Sequence, residues 1–442
     1  MSNATETETE SFGRGRVERD DHPLLTIVHH PDPDLVGAYQ PLTRGRHVVG
    51  REGGTLFPGA FHHKKVSREH AAFSVERGVV KVVDLDSRNG THVNGAPATE
   101  VTLAPGDVIR IGGIVLLHHL GPRHHAEPSH PFMAGTSHVL ARLLDELKEA
   151  AGTSQSVMLV GETGVGKELA ARTVHEESGR SGAFVPLNCG GMAEGVIQSE
   201  LFGHSRGAFS GAAAARPGLV QEAEGGTLFL DEVGAAPMAL QTTLLRLLET
   251  NDFRVVGDAQ LRRANVRFVA ATQPDVETQM EDGSFRRDLW YRLAHRIVRI
   301  PPLRERRQDI PAIIARHCID GGRPPLRLSA ELAALMIRHH WPGNVRELLA
   351  TIDRLASAAD GDELFVPRWL EQEVARQPAP RGDEDDKAPT KRPDREELLA
   401  ALVQHRASIA ATAKALGVDR KSLYRWLKAL DIDIDALRAK HG

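Results

Sequence analysis

The chain has 442 residues, 41% hydrophobic and 26% charged, with 55 Lys and Arg against 59 Asp and Glu for a formal net charge of −4. That length predicts about three domains. The composition excludes a mostly disordered or fibrous chain, and the charge balance excludes a globally basic nucleic-acid binder while leaving room for a local basic patch. Two cysteines, Cys189 and Cys318, exclude a disulfide framework and point to a reducing compartment. No apolar run approaches ~18 residues, so no membrane span is expected, and the acidic start MSNATETETE is unlike a secretory signal. A soluble, cytoplasmic protein is expected.

Residues 1–23 form an acidic, polar tail with three Thr-Glu repeats and nothing to bury, which predicts disorder. Over 24–120, short β-type runs alternate with turns: HVVG (47–50), AAFSV (71–75), VVKVVDL (79–85) and DVIRIG (107–112), with Asn-Gly pairs at 89–90 and 94–95. That spacing predicts a β-sandwich. GPRHHAEPSHP (121–131) reads as a linker. From 132 the period turns helical, with Leu140, Leu143, Leu144 and Leu147 on one face. Strands and helices then alternate to about 310, as in an α/β domain with a largely parallel sheet. Residues 311–376 are helical only and predict a small α-subdomain. Residues 377–394 have the proline and charge density of a flexible linker, and 395–442 predict a compact all-α module.

The apolar run VMLV (157–160) leads into GETGVGKE, Gly161, Glu162, Thr163, Gly164, Val165, Gly166, Lys167 and Glu168, and a helical segment follows. Strand, glycine loop and helix together make a P-loop: backbone N–H groups curl around phosphate oxygens, Lys167 supplies a point charge, and the helix N-terminus adds its dipole. Glu168 stands where a general P-loop has Ser or Thr for Mg²⁺. GGTLFLDE (225–232) is an apolar strand ending in Asp231 and Glu232, a Walker B element in which Asp231 would hold Mg²⁺ and Glu232 would polarise the attacking water. Phosphoryl transfer also needs positive charge against its transition state. FRRDLWYRL (285–293), PPLRERRQDI (301–310) and Arg346 in WPGNVREL (341–348) are candidate sources.

With ELFGHSRGAFSGA (200–212) added, residues 132–373 closely resemble the AAA+ ATPase domain of bacterial enhancer-binding proteins, the activators of sigma-54 RNA polymerase. The string resembles that family's GAFTGA loop, which other AAA+ branches lack. Gly207 and Gly211 permit a tight, extendable loop, Ala208, Ser210 and Ala212 complete it, and Phe209 presents an apolar tip for a protein partner to bury. The resemblance implies that Lys167 binds the β/γ-phosphates of ATP, that Asp231 and Glu232 handle Mg²⁺ and water, and that Asn188 in VPLNC restrains the catalytic glutamate. It further implies that Arg286 and Arg292 are arginine fingers acting on the adjacent subunit's ATP, that Arg346 is the lid's sensor arginine, and that the assembly is a ring, a hexamer. The family shares a glutamate at the position of Glu168. Three departures stand out: Ser210 replaces Thr, His-Ser-Arg (204–206) replaces His-Glu-Lys, and Gln273 in AATQPD replaces the first sensor's Asn.

ASIAATAKALGVDRKSLYRWLKAL (407–430) has an alanine-rich helix, a turn at Gly417 and a second helix capped by Asp419. Leu423, Leu427 and Leu430 line one face of that helix. Arg420, Lys421, Ser422, Tyr424, Arg425 and Lys428 are the candidate DNA contacts, as on a recognition helix. Residues 391–442 hold 11 Lys and Arg against 7 Asp and Glu, so the local patch that the whole-chain balance left open lies here. The segment resembles a Fis-type helix-turn-helix, which implies double-stranded DNA, an upstream activating sequence with an inverted repeat, read by dimers.

VVGRE (48–52), VSREH (66–70) and DSRNGTHVNG (86–95) resemble a forkhead-associated (FHA) domain over 24–120. Arg51 and Arg68 would give charge-assisted hydrogen bonds to a phosphate and Ser67 a neutral one, while Asn89, with Arg88 beside it, would fix the bound peptide's backbone. The resemblance implies a phosphothreonine ligand, on another protein or on Thr5, Thr7 or Thr9 of the chain's own tail. The adjacent histidines at 62–63, 118–119, 124–125 and 339–340 have no Cys or carboxylate at ligand spacing in the sequence and read as solvated loop residues.

The expected protein is thus multidomain: an all-β FHA sandwich, an α/β AAA+ P-loop ATPase with an α-helical lid, and an all-α helix-turn-helix. It would be a cytoplasmic, ATP- and Mg²⁺-dependent homo-oligomeric activator remodelling the sigma-54 polymerase holoenzyme. Two alternatives remain: an AAA+ remodeller with another client, and a phosphopeptide-responsive DNA-binding regulator that does not hydrolyse ATP.

Overall fold

The structure, a computed structural model, describes residues 21–124, 130–191, 194–209, 212–358, 363–376 and 395–405, with scattered positions between 412 and 432. It divides into two units, 1–380 and 381–442.

The first unit opens with a β-sandwich. One sheet holds β1 (His22–His29), β2 (Tyr39–Pro41), β6 (Thr91–Val93), β7 (Ala96–Ala98), β9 (Val108–Ile111) and β10 (Ile114–Gly121) in the order β2-β1-β10-β9-β6-β7. The other holds β3 (Gly45–Val49), β4 (Ala71–Glu76), β5 (Val79–Asp84) and β8 (Glu100–Leu103) in the order β3-β4-β5-β8. Every pairing is antiparallel. The sandwich starts two residues before Leu24 and ends one residue inside the expected linker. Leu25, Ile27, Ile114 and Leu116 point inward to its core, and the alternate residues Val28, Val115 and Leu117 are buried on the outer face. Burial on both faces explains why apolar residues adjoin in β1 (LLTIV) and β10 (IVLL) rather than alternating.

The α/β core follows. Helix α1 (His138–Ala151) is capped by Ser137, whose hydroxyl accepts the Leu140 N–H, and it buries Leu140, Leu143 and Leu147. In chain order come β11 (Val157–Val160), α2 (Lys167–Glu177), β12 (Phe184–Asn188), α3 (Ile197–Phe202), the short pair β13 (Gly203–His204) and β14 (Arg216–Pro217), α4 (Leu219–Glu222) and β15 (Thr227–Asp231). Then follow α5 (Met238–Thr250), the pair β16 (Asp252–Phe253) and β17 (Arg262–Arg263), β18 (Arg267–Thr272), α6 (Val276–Asp282), α7 (Arg287–Leu293) and β19 (Arg296–Arg299). The central sheet is all parallel, in the order β12-β15-β18-β11-β19. Successive residues of β11 alternate between two cores, Met158 and Val160 in one, Val157 and Leu159 in the other, so helices cover both faces. This order leaves the carboxyl ends of β11 and β15 at the same edge, where the P-loop and Asp231 both emerge.

The lid comprises α8 (Ile310–Asp320), β20 (Arg327–Leu328), α9 (Ala330–Arg338), α10 (Asn344–Ser357), β21 (Glu363–Leu364) and α11 (Arg368–Arg376). In the second unit, α12 (Arg395–Gln404) is described, and Leu398, Leu402, Leu423 and Leu427 are buried together, with Leu430 packed against them.

Candidate functional site

Gly164 and Gly166 lie at φ +78° and +102°, conformations that glycine adopts without strain. Space demands the first as well: a Cβ at Gly164 would sit 2.2 Å from the Gly343 carbonyl oxygen of the lid. Lys167 opens α2 and turns its ammonium back onto the loop, donating to the carbonyls of Gly161 (2.8 Å) and Glu162 (2.9 Å). Burial holds its pKa below the usual lysine value, opposed by Asp231 and Glu232. Glu168 is paired with Arg172 at 2.9 Å. Asp231 is half-buried, and burial together with the neighbouring Glu232 charge raises its pKa against the pull of Lys167. Glu232 stands at φ +51°, rare for a side chain of its kind, with its N–H on the Asp231 carboxylate (3.0 Å). Asn188 pairs with Asp231 in the sheet register, and its Oδ1 accepts the N–H groups of Gly190 (3.0 Å) and Gly191 (3.1 Å). Gln273 leaves β18 directly after Thr272, whose carbonyl accepts the Gly161 N–H.

The lid and the segment before it close this edge, with Asn344 unassigned by the sequence reading and the arginines of 301–310 facing a different target from the one expected. Asn344, fully buried and at φ +53°, donates to the Glu162 carboxylate (3.1 Å) and the Thr163 carbonyl (3.0 Å) while accepting the Leu303 N–H (2.8 Å). Arg304 grips Glu162 through two bonds of 2.9 and 2.7 Å, which are the main reason that carboxyl titrates below its usual range. Buried Arg306 donates to the Val165 carbonyl at 2.9 Å. Two of the arginines in PPLRERRQDI thus hold the P-loop itself in shape. Arg346 lies against Gly164, its Cβ 3.1 Å from where a Cβ on that glycine would be. Beside the loop a cavity of about 150 Å³ opens between Phe132, Val165 and Leu169 of the core and Ile313, His317 and Leu349 of the lid. Its lining is scattered over more than two hundred residues, so no short motif could have flagged it.

Arg286 stands at the N-cap of α7 and Arg292 lies in its last turn, away from these contacts. Arg286 binds Asp288 through 3.0 and 2.7 Å bonds, and Arg292 approaches Glu249 at 4.0 Å. Neither bonds to its own chain's P-loop. In the loop after α3, the Gly207 N–H donates to the Ala212 carbonyl (2.8 Å) and the Ala212 N–H to the Phe209 carbonyl (3.0 Å), with Ala208 between Gly207 and Phe209. Phe209 is 47% exposed and sits edge-on to His204 at 5.0 Å. Ser205 ties the loop to the Val256 carbonyl through its N–H and its hydroxyl. Ser210 and Gly211 lie outside the described residues.

The sandwich brings its five expected residues together on two loops. The Arg51 N–H donates to the Ser67 carbonyl (2.8 Å), the Arg88 N–H to the Ser67 hydroxyl (3.0 Å), and the Asn89 amide to the Lys65 carbonyl (2.7 Å). A Cβ on Gly50 would fall 2.0 Å from the Arg68 carbonyl oxygen, so this approach requires glycine. Buried His70, unassigned from sequence, ties the two loops: its Nδ1 accepts the Ser67 N–H (3.1 Å), leaving Nε2–H for the Gly90 carbonyl (3.3 Å). The Arg51, Arg68 and Arg88 side chains remain exposed.

Two of the histidine pairs correct the reading of solvated loop residues, whereas His62 and His124 are exposed as expected. His118 and His119 are buried because both faces of β10 are covered; they meet the Ala104 carbonyl and the Thr26 hydroxyl. His339 is also buried, and folding brings Glu347 and Glu373 within 4.8 Å of it, carboxylates that the sequence spacing did not show. Its Nδ1 accepts the Trp341 N–H (2.9 Å), and burial lowers its pKa to about 4. The neutral ring's proton therefore sits on Nε2, and neither nitrogen offers a lone pair to a metal. The expected DNA contacts Arg420, Lys421, Ser422, Tyr424, Arg425 and Lys428 lie outside the described residues. No helix among the described residues is long and apolar enough to cross a membrane.

Three family models match: the sigma-54 interaction domain over 133–299, the AAA+ ATPase lid domain over 304–387, and the FHA domain over 47–112. The C4-dicarboxylate transport transcriptional regulatory protein DctD of Rhizobium meliloti is 42% identical over 297 residues, 66% of this chain and 63% of that protein. The transcriptional regulatory protein ZraR of Escherichia coli is 38% identical over 297 residues, 66% of this chain and 67% of that one. The chain thus spans about two thirds or slightly less of the length of these relatives. The crystal structure of NtrX from Brucella abortus in complex with ATP superposes with a TM-score of 0.50 at 30% identity, covering 70% of this chain and 71% of that one. With an FHA domain ahead of a AAA+ ATPase module, the chain belongs to the family of sigma-54-interacting AAA+ transcriptional regulators.

Proposed function

We propose that the protein is a sigma-54-dependent transcriptional activator that couples ATP hydrolysis to remodelling of the polymerase closed complex under control of a phosphothreonine signal. The observation carrying this reading is that a P-loop closed by the lid and a turn presenting Phe209 to solvent belong to one domain matching the sigma-54 interaction model. ATP would lay its base in the cavity beside Phe132 and its phosphates along the N–H groups of 164–167, with Lys167 leaving the two carbonyls for the β/γ-phosphates. The adjoining carboxylates of Asp231 and Glu232, one with a raised pKa, suit a divalent cation; Mg²⁺ held by Asp231 would offset phosphate charge. Glu232 would draw the proton of the attacking water, and Asn188 would set its position from the adjacent strand. Gln273 and Arg346 would sense the γ-phosphate from core and lid.

Arg286, partly exposed, and Arg292, exposed, each paired with a single acidic side chain, would reach the ATP of a neighbouring subunit, which requires a ring. The segment Gly207–Ala212 would then press Phe209 on sigma-54. Residues 395–442 would bind upstream DNA as a helix-turn-helix; the burial of Leu423 and Leu427 supports the apolar face this needs. Arg51, Ser67 and Arg68 would hold a phosphothreonine phosphate, with Arg88 and Asn89 on its peptide. Work on polymerase and DNA would place the protein in the cytoplasm.

The test is open-complex formation on a supercoiled sigma-54 promoter with purified holoenzyme, ATP and the protein, with Lys167→Ala alongside. Opening that needs ATP and fails in the variant is expected. ATP hydrolysis without opening in the presence of a phosphothreonine peptide would reject sigma-54 as the client.

A further inference from the structure

Seven of the nine residues of α9 are buried, among them Leu332, Leu335, Met336 and Ile337. A helix buried all round lies between two layers. One layer is the rest of the lid; the other is the outer face of the FHA sandwich, whose Val28, Val108, Val115 and Leu117 join the lid's own apolar cluster. The two remaining residues of α9 also face the sandwich. Arg110 on β9 pairs with Glu331 at 3.2 Å. Gly95, in the turn between β6 and β7, comes so near Arg338 that a Cβ there would stand 2.6 Å from its Nη1.

The same sandwich reaches the strand-to-lid strap and the start of the core. Arg307 donates from Nη1 to the Gly106 carbonyl (3.3 Å) and from Nε to the Arg304 carbonyl (3.1 Å), and Arg304 is the residue that grips Glu162 in the P-loop. On the core side, Gly121 passes so near His138 that a Cβ there would meet its ring at 2.9 Å, and a Cβ on Gly37 would stand 3.2 Å from Thr136. Asp309, on the strap, in turn accepts the N–H groups of Thr136 and Ser137, both at 2.8 Å.

We propose that the FHA sandwich is a brace across the junction of ATPase core and lid, and that Arg110 and Arg307 are positioning residues for the nucleotide site, acting through Glu331 and Arg304. An apolar interface continuous with a domain core opposes independent motion of its halves. The lid provides half of the cavity and the Asn344 that seats on the P-loop, so its seating on the core sets nucleotide affinity. A reader joined by a loose tether would leave the ATPase intact when removed. A brace would not.

The inference rests on the P-loop being a nucleotide site, and a fluorescent ATP analogue tests both in the full-length chain. If the wild type does not bind the analogue, the reading of the site fails and not the brace alone. Arg110→Glu sets two acids face to face at the rim, and the expected result is a KM for ATP and a Kd for the analogue raised roughly three- to tenfold, with kcat at saturation within about twofold. Arg110→Glu with Glu331→Arg restores the pair in reverse, and both constants should return to within about twofold of the wild type. General damage to the fold would not be rescued by a second substitution. Unchanged or tighter nucleotide binding in Arg110→Glu, or no recovery in the double variant, would overturn the brace.

Discussion

The two sites proposed to take phosphate, the P-loop and the FHA loops, are finished to different degrees. Around the P-loop the charges are already engaged: Lys167 on two carbonyls, Glu162 on Arg304 and Asn344, and the Gly164 carbonyl on the Val345 N–H. On the FHA loops the backbone is fixed by Ser67, Asn89 and His70, but the arginines extend into water, Arg68 with its side chain 75% exposed. A site closed under a lid works in a low dielectric, where each charge counts for more. An open site accepts a peptide from solution and gains from only a few charge-assisted bonds. Substitutions at the first should therefore cost more than equivalent ones at the second.

Glu232→Gln is the most severe test of the closed site. It keeps the shape and removes the base, so hydrolysis should fall by about a hundredfold or more while the fluorescent ATP analogue still binds. Loss of binding as well would show that Glu232 maintains the site's structure instead. Next comes Arg304→Ala, which takes two bonds from Glu162 and leaves it to Asn344. Partial exposure of the pair reduces its worth, and a rise in Kd for the analogue of about tenfold is expected. An unchanged Kd would mean that the loop keeps its form without Arg304.

Arg51→Ala probes the open site. Affinity for a phosphothreonine peptide should fall by about tenfold, whereas ATP hydrolysis without peptide should hold. Binding of the unphosphorylated peptide is the control: if it falls equally, Arg51 reads the peptide and not its phosphate.

What could be read in advance follows the same division between local and distant information. Strands and glycines of the P-loop and of the two FHA loops are local, so the runs VMLV, GETGVGKE and VSREH identified them before folding was known. The residues that close the sites are remote in sequence: Asn344 lies 182 positions from Glu162, and Arg304 lies 142 from it. PPLRERRQDI showed its charge in the sequence but not its target, and the arginines expected to face a transition state turned to the P-loop backbone and to Gly106. The double-sided burial of β1 and β10 left a trace in LLTIV and IVLL, where apolar residues adjoin instead of alternating, yet a run alone cannot name the partner as α9. His339 shows the limit most directly, because its two carboxylate neighbours come from other helices.

A further expected effect concerns pH, and it separates sandwich from lid. His29, at the end of β1, has its pKa lowered to about 4, chiefly by burial and then by His30, with Glu331 opposing. His339 in the lid is also lowered to about 4, by burial and by His340. Between pH 6.5 and 4 the unfolded chain takes up a proton at each position that the folded chain refuses. Their contribution to stability is thus complete above pH 6.5 and is lost as pH falls toward 4, by up to roughly 1.4 kcal/mol per pH unit for each histidine. His339→Asn keeps an acceptor for the Trp341 N–H and removes the titration. Urea midpoints measured at pH 7.5, 6.0 and 5.0 should drop less steeply in that variant than in the wild type. If the sandwich and lid unfold as one body, His29→Asn should flatten the same transition. If it flattens a separate, earlier transition, the interface on α9 is weaker than its apolar packing implies.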